Sequence, residues 1–186
     1  LTEELESQIR EAEVLQRVED LYKPFKKKKA TRASKAREKG LEPLALIFRA
    51  QEKESGSIEE LAEPFISEEK GVASAEEAVQ GACDIIAEMI SDDPELTAAV
   101  RDRTAQTGMI TTEAADPEEK SVYDMYYEYS EGISKIPNHR VLAVNRGEKE
   151  KKLKVKVVTD PERMEKLIAD EIITNEKSIF TDLLRE

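Results

Sequence analysis

The sequence predicts a mainly α fold, a multi-helix scaffold with one small β excursion near residues 139–158. Three observations carry that reading. Apolar residues recur three or four apart through most of the chain. Helix-start signals are frequent, with an acid or serine cap just ahead of an apolar-periodic run. Around Asn138 the period shifts towards two, in stretches rich in Val and Leu. Charged residues make up 38 % and apolar ones 39 %, with seven Gly and seven Pro, a balance that suits helices with long charged outer faces.

In chain order, Leu1, Leu5, Ile9, Ala12, Leu15, Val18 and Tyr22 form one apolar stripe, predicting a single helix over residues 1–22. Pro24 ends it, since the ring excludes the preceding turn and lacks a donor N–H. Thr31 through Lys39 form a short helix closed by Gly40. Pro43 lies just inside a helix carrying Leu44, Ile47 and Phe48. Ser57 with Glu60, and Ser74 with Glu77, are S-x-x-E capping boxes. Asp93-Pro94 and Asp116-Pro117 each place a capping acid before a proline at the first helical position. The run Val79, Ala82, Cys83, Ile86, Met89, Ile90 is the principal core helix, and Gly108 ends the next one. Tyr123, Tyr126 and Tyr127 share one broad helical face and read as core or domain-contact aromatics with their hydroxyls at the surface. HRVLAVN and KLKVKVV flank RGEKEK and read as a β-hairpin. Lys152, Lys154 and Lys156 would share its solvent face, while Leu153, Val155 and Val157 turn inward. Asp160-Pro161 starts a last helix with Met164, Leu167, Ile168 and Ile172.

Composition excludes several classes. No window approaches the length of uninterrupted apolar sequence that a membrane span requires, and the start has no secretory signal. One cysteine, Cys83, precludes an internal disulfide framework and fits a reducing, cytoplasmic setting. It lies on an apolar helix face and reads as a buried, inert thiol. The lone His139 has no companion at metal-ligand spacing, so no metal site is expected; it reads as a hydrogen-bonded residue at a helix-to-strand turn. Neither G-x-x-x-x-G-K-[ST] nor G-x-G-x-x-G nor G-x-S-x-G occurs. Asp92 and Asp93 precede Pro94 and read as capping residues. The expectation is a chain that is not an enzyme, with no cofactor and no small-molecule substrate. Opening on Leu1 rather than Met, it reads as a piece of a longer protein.

Charge is unevenly distributed. The formal net charge is −12, yet Tyr22 to Gly40 hold nine Lys or Arg against one Glu. Residues 140–156 hold seven cations against two Glu. Lys26, Lys27, Lys28, Lys29, Arg32 and Lys35 are therefore the candidate contacts for a nucleic-acid backbone.

RVEDLYKPFKKKKATRASKAREKGLEPLA and IPNHRVLAVNRGEKEKKLKVKV resemble the corresponding stretches of the bacterial transcription accessory protein family Tex. The resemblance implies that residues 1–137 belong to a helical Tex-like N-terminal domain containing a helix-turn-helix-like part. Residues 138–186 would lead into C-terminal domains outside this chain: ribonuclease-H-like, helix-hairpin-helix and an OB-fold that binds RNA. It further implies a non-enzymatic part of a nucleic-acid-binding transcription factor, with weak, backbone-directed contacts to RNA or DNA and with the transcription machinery as partner. The alternative is a protein-interaction platform whose acidic helices dock on that machinery or on the protein's own other domains.

Overall fold

The computed structural model describes residues 2–26 and 30–185. It divides into two compact units, Leu1–Ala98 with Glu165–Glu186, and Ala99–Met164. The fold is mainly α, with ten α-helices and a three-stranded antiparallel sheet among the described residues.

In the first unit the expected single N-terminal helix is two helices, α1 (Glu3–Glu11) and α2 (Leu15–Tyr22). Ala12 and Val14 between them are extended, and extended backbone suits the branched Val14 side chain. Separating the two lets α2 bury Asp20 and Leu21, while α1 buries nothing. A 3₁₀ turn, Lys23–Phe25, follows with Pro24 inside it. Helix α3 (Arg32–Glu38) is fixed at both ends. Thr31 Oγ1 accepts from the Ser34 N–H at 3.0 Å and Ser34 Oγ from the Thr31 N–H at 2.9 Å. Gly40, at φ +82°, takes the left-handed conformation beyond its end.

Helix α4 (Glu42–Ala50) buries Leu44, Ala45 and Phe48. Helix α5 (Ile58–Ala62) is capped by Ser57, but through Glu59 rather than Glu60: the Glu59 N–H donates to Ser57 Oγ at 3.2 Å. Helix α6 (Ala75–Asp92) is the expected core helix, with Ala78, Ala82, Ile85 and Ile86 buried. At its start Ser74 Oγ accepts from the Glu77 N–H at 3.2 Å, and the Glu77 carboxylate reaches back to the Ala73 N–H at 2.9 Å. Asp93 Oδ1 caps α7 (Pro94–Thr107) by accepting from Glu95 and Leu96 N–H at 2.9 and 3.0 Å.

The second unit holds β1 (Met109–Ala114) and β2 (Glu128–Gly132), neither anticipated from sequence. Asp116-Pro117 starts a turn, not a helix: Asp116 Oδ1 accepts from the Glu118 N–H at 3.0 Å and the chain turns back towards β2. The tyrosines are likewise not on one α-helix. Tyr126 closes a 3₁₀ turn, Asp124–Tyr126, and Tyr129 lies on β2. Tyr123 and Tyr126 are core residues, as expected, and the Tyr126 and Tyr129 rings meet edge to face at 5.2 Å.

The predicted hairpin is corrected in its first arm. HRVLAVN lies in α8 (Asn138–Lys149), and only the second arm is a strand, β3 (Leu153–Val158). Strand order is β2-β1-β3, and Thr112 of β1 faces Tyr129 on one side and Val155 on the other. Helical winding puts Val144 and Gly147, three apart, on the buried side. A Cβ at Gly147 would lie 2.6 Å from Leu153 Cδ1 and 3.2 Å from Tyr123 Cδ1, so the missing side chain is what lets this core close. Along β3 the expected alternation holds for Leu153, which is buried, and Val155, which is half-buried; Val157 is exposed together with Lys154 and Lys156. Helix α9 (Pro161–Ile172) begins at Asp160-Pro161 as expected, and α10 (Thr181–Arg185) returns to the first unit.

The first unit's core centres on Phe48 and Phe180, both fully buried, with ring centroids 4.8 Å apart. Burying a side chain of that kind is worth about 1.5–3 kcal/mol. Gln51, at φ +51°, is the buried polar joint of this core. Its Nε2 donates to the Ile172 carbonyl at 2.8 Å, and its Oε1 accepts from Thr174 and Asn175 N–H at 3.0 and 3.2 Å.

Candidate nucleic-acid interface

Helix α3 sorts the basic stretch into two sets. Ala33 and Ala36 face inward, and α3 packs along α6. Cations flanking that seam are taken up by α6. Arg37 donates to Glu88 and lies 3.4 Å from Glu42; Lys39 pairs with Glu77 at 2.7 Å. Lys23 Nζ donates to the Ser91 carbonyl at 2.5 Å. The hydrogen bond to Glu88 raises Arg37 above the ordinary arginine value, and the one from Lys39 lowers Glu77 below the usual carboxylate range. These cations hold the fold.

Arg32 and Lys35, three residues apart, occupy the outward side of α3. The Arg32 side chain is 84 % exposed, with Nε 3.4 Å from Asp84 Oδ1, and Lys35 is exposed. Lys26 follows the 3₁₀ turn and is exposed too. Lys27, Lys28 and Lys29 lie outside the described residues. Two aromatic side chains stand at the entrance to this stretch: Tyr22, expected on the apolar stripe, is 59 % exposed, and Phe25, which sequence reasoning passed over, is 62 % exposed. A usable signal was their proximity in sequence to the lysine run.

The second basic segment is partly neutralised within its own unit. Arg140 donates to Glu131 at 2.9 Å with its guanidinium 5.9 Å from the Tyr129 ring centroid, and Lys152 and Lys156 pair with Glu119 and Glu113. Hydrogen bonds from Tyr129 and Arg140 lower Glu131, and the bond to Glu119 raises Lys152. Arg146, Lys149, Lys151 and Lys154 are exposed. His139 is exposed in the first turn of α8, not at the predicted helix-to-strand turn.

An open groove of about 770 Å³ runs along α6 in the first unit. Val79, Ile86, Ile90, Ile168 and Leu184 line it, with Glu59, Glu76, Asp84 and Glu165 among its polar residues. Cys83 is half-buried on its wall rather than deep in the core as expected, because its side of α6 faces this opening. Among the described residues, no cluster of three or more His, Cys, Asp and Glu is arranged to hold a metal ion, and no helix is long and apolar enough to cross a membrane.

Fold and surface define a helical, acid-rich chain that carries exposed cations at local positions. The chain belongs to the Tex family: the family model described as Tex central region-like matches residues 53–185. It is 43 % identical over its whole length to the uncharacterised protein YdcI of Bacillus subtilis, covering 26 % of that protein. Protein tex of Bordetella pertussis is 35 % identical over 84 % of the chain, which covers 20 % of that relative. The transcriptional accessory protein Tex of Neisseria gonorrhoeae is 32 % identical over 87 % of the chain, which covers 21 % of it. The chain thus spans a fifth to a quarter of the length of these relatives.

Proposed function

We propose that this chain is a non-enzymatic scaffold within a transcription accessory protein and makes an auxiliary, sequence-independent contact with the phosphate backbone of RNA or DNA. The carrying observation is the division on and around α3: Arg37, Lys39 and Lys23 are bonded within the chain, Lys26 and Lys35 are exposed, and Arg32, though 3.4 Å from Asp84, keeps 84 % of its side chain exposed. With a net charge of −12, the chain as a whole repels polyanions, so attraction must be local. Action alongside the transcription machinery fits the name of the Neisseria gonorrhoeae relative, transcriptional accessory protein Tex.

The test is a fluorescence-anisotropy titration of RNA and duplex DNA against the chain at two salt concentrations. A contact neutralising three phosphates loses roughly fortyfold in affinity between about 50 and 200 mM salt. The triple variant Lys26→Glu, Arg32→Glu, Lys35→Glu abolishes it. Absence of binding, or binding that ignores salt, rejects this reading. A second reading, docking of a protein partner, is favoured by the apolar groove along α6 with its acidic residues. Capture of purified transcription proteins in place of nucleic acid supports that reading instead.

A further inference from the structure

We infer that Tyr22 and Phe25 form a stacking platform that takes an unpaired base of single-stranded nucleic acid next to the basic stretch. The inference rests on the phosphate-contact reading above and assigns its substrate class, single strand in preference to duplex.

Tyr22 ends α2 and Phe25 ends the 3₁₀ turn that continues it, so the two stand three residues apart on a helical path. Both therefore lie on one short exposed stretch of chain directly ahead of Lys26. Large aromatic side chains usually supply core area. Here both are more than half exposed, at 59 % and 62 %, while their neighbours Asp20 and Leu21 are buried at 4 % and 3 %.

The platform is held from behind. Leu21 is buried in the first unit, Lys23 Nζ donates to the Ser91 carbonyl at 2.5 Å, and Pro24 fixes the backbone between the rings. Lys26 comes directly after Phe25 and is exposed. A base stacked on these rings would place its phosphates beside that cation. Aromatic faces with adjoining cations are the arrangement by which single strands are bound without sequence preference. Duplex DNA keeps its bases stacked on each other and gains nothing from the rings.

The experiment compares the chain with the double variant Tyr22→Ala, Phe25→Ala. Both side chains are solvent-exposed, and circular dichroism verifies that the variant is folded. The probes are a fluorescein-labelled oligouridylate, an abasic strand of equal length and duplex DNA. The double variant loses about ten- to a hundredfold in affinity for oligouridylate, while its affinity for the abasic strand and the duplex is unchanged. The chain has five Tyr and no Trp, so oligouridylate also quenches tyrosine emission in the wild type, and by less in the variant. Equal binding of oligouridylate by wild type and double variant overturns the platform and leaves the phosphate contact standing. Loss of equal size on all three probes also overturns it, since the rings would then support the fold of the basic stretch and not a base. Failure of the wild type to bind any probe overturns both readings.

Discussion

Thr31 and Arg37, at opposite ends of α3, donate to the same carboxylate, Glu88 of α6. Thr31 Oγ1 reaches Glu88 Oε1 at 2.9 Å and the Arg37 guanidinium takes Oε2. The Glu88 side chain is 14 % exposed, so both bonds form where water competes weakly. One acid thereby ties both ends of the short helix that presents Arg32 and Lys35 to α6.

Glu88→Ala should lower stability by about 1–3 kcal/mol, because a charge-assisted bond is lost and Arg37, about a third exposed, recovers part of it from solvent. Urea unfolding followed by circular dichroism measures this. An unchanged midpoint would show that Glu88 contributes nothing to holding α3.

Gln51→Leu keeps the volume and removes the polar joint. It leaves the Thr174 and Asn175 N–H groups without their acceptor, which should cost roughly 2–4 kcal/mol. Hydrogen exchange at those two amides should accelerate together. Exchange at wild-type rates would mean that the 172–175 segment is fixed by other contacts.

Much of this was legible in the sequence wherever a side chain bonds its own backbone nearby. Ser74 and Asp93 cap the helices they were expected to cap, Asp160 stands at the start of α9 as expected, and Gly40 and Gly108 follow α3 and α7. Such signals are complete within a few residues. What failed depends on distant partners. HRVLAVN has strand-like composition, but Val144 and Gly147 pack on Leu153 and Tyr123, and that contact decides for a helix. MITTEA and EYSEG are short and rich in Thr, Ser and Glu, and they become strands only by pairing with each other and with β3. For the candidate site, the charge run identified the stretch. Which cations remain outward was hidden, because their partners Glu77, Glu88 and Ser91 lie far along the chain.

Glu131 supplies a pH test in the second unit. Bonds from Tyr129 and Arg140 favour its ionised form when folded, so its folded value lies below its unfolded one. The stabilisation is therefore complete above the unfolded carboxylate value, about 4.3, and drains away as pH falls below it through the folded value. The unfolding midpoint of the wild type should drop between about pH 5 and pH 3 more steeply than that of Glu131→Gln. Parallel pH profiles would exclude this carboxylate as a contributor.

The bond from Gln51 to the Ile172 carbonyl joins residues 121 positions apart, and the second unit occupies the interval between them. On a ribosome adding about 5–20 residues per second, the first unit must wait on the order of ten seconds after Gln51 emerges before its joint can close. The second unit is continuous in sequence and can complete its sheet within that delay. Synthesis therefore runs in the order of an insertion: the later-encoded unit is finished first, and the earlier one keeps Phe48 open until Phe180 arrives.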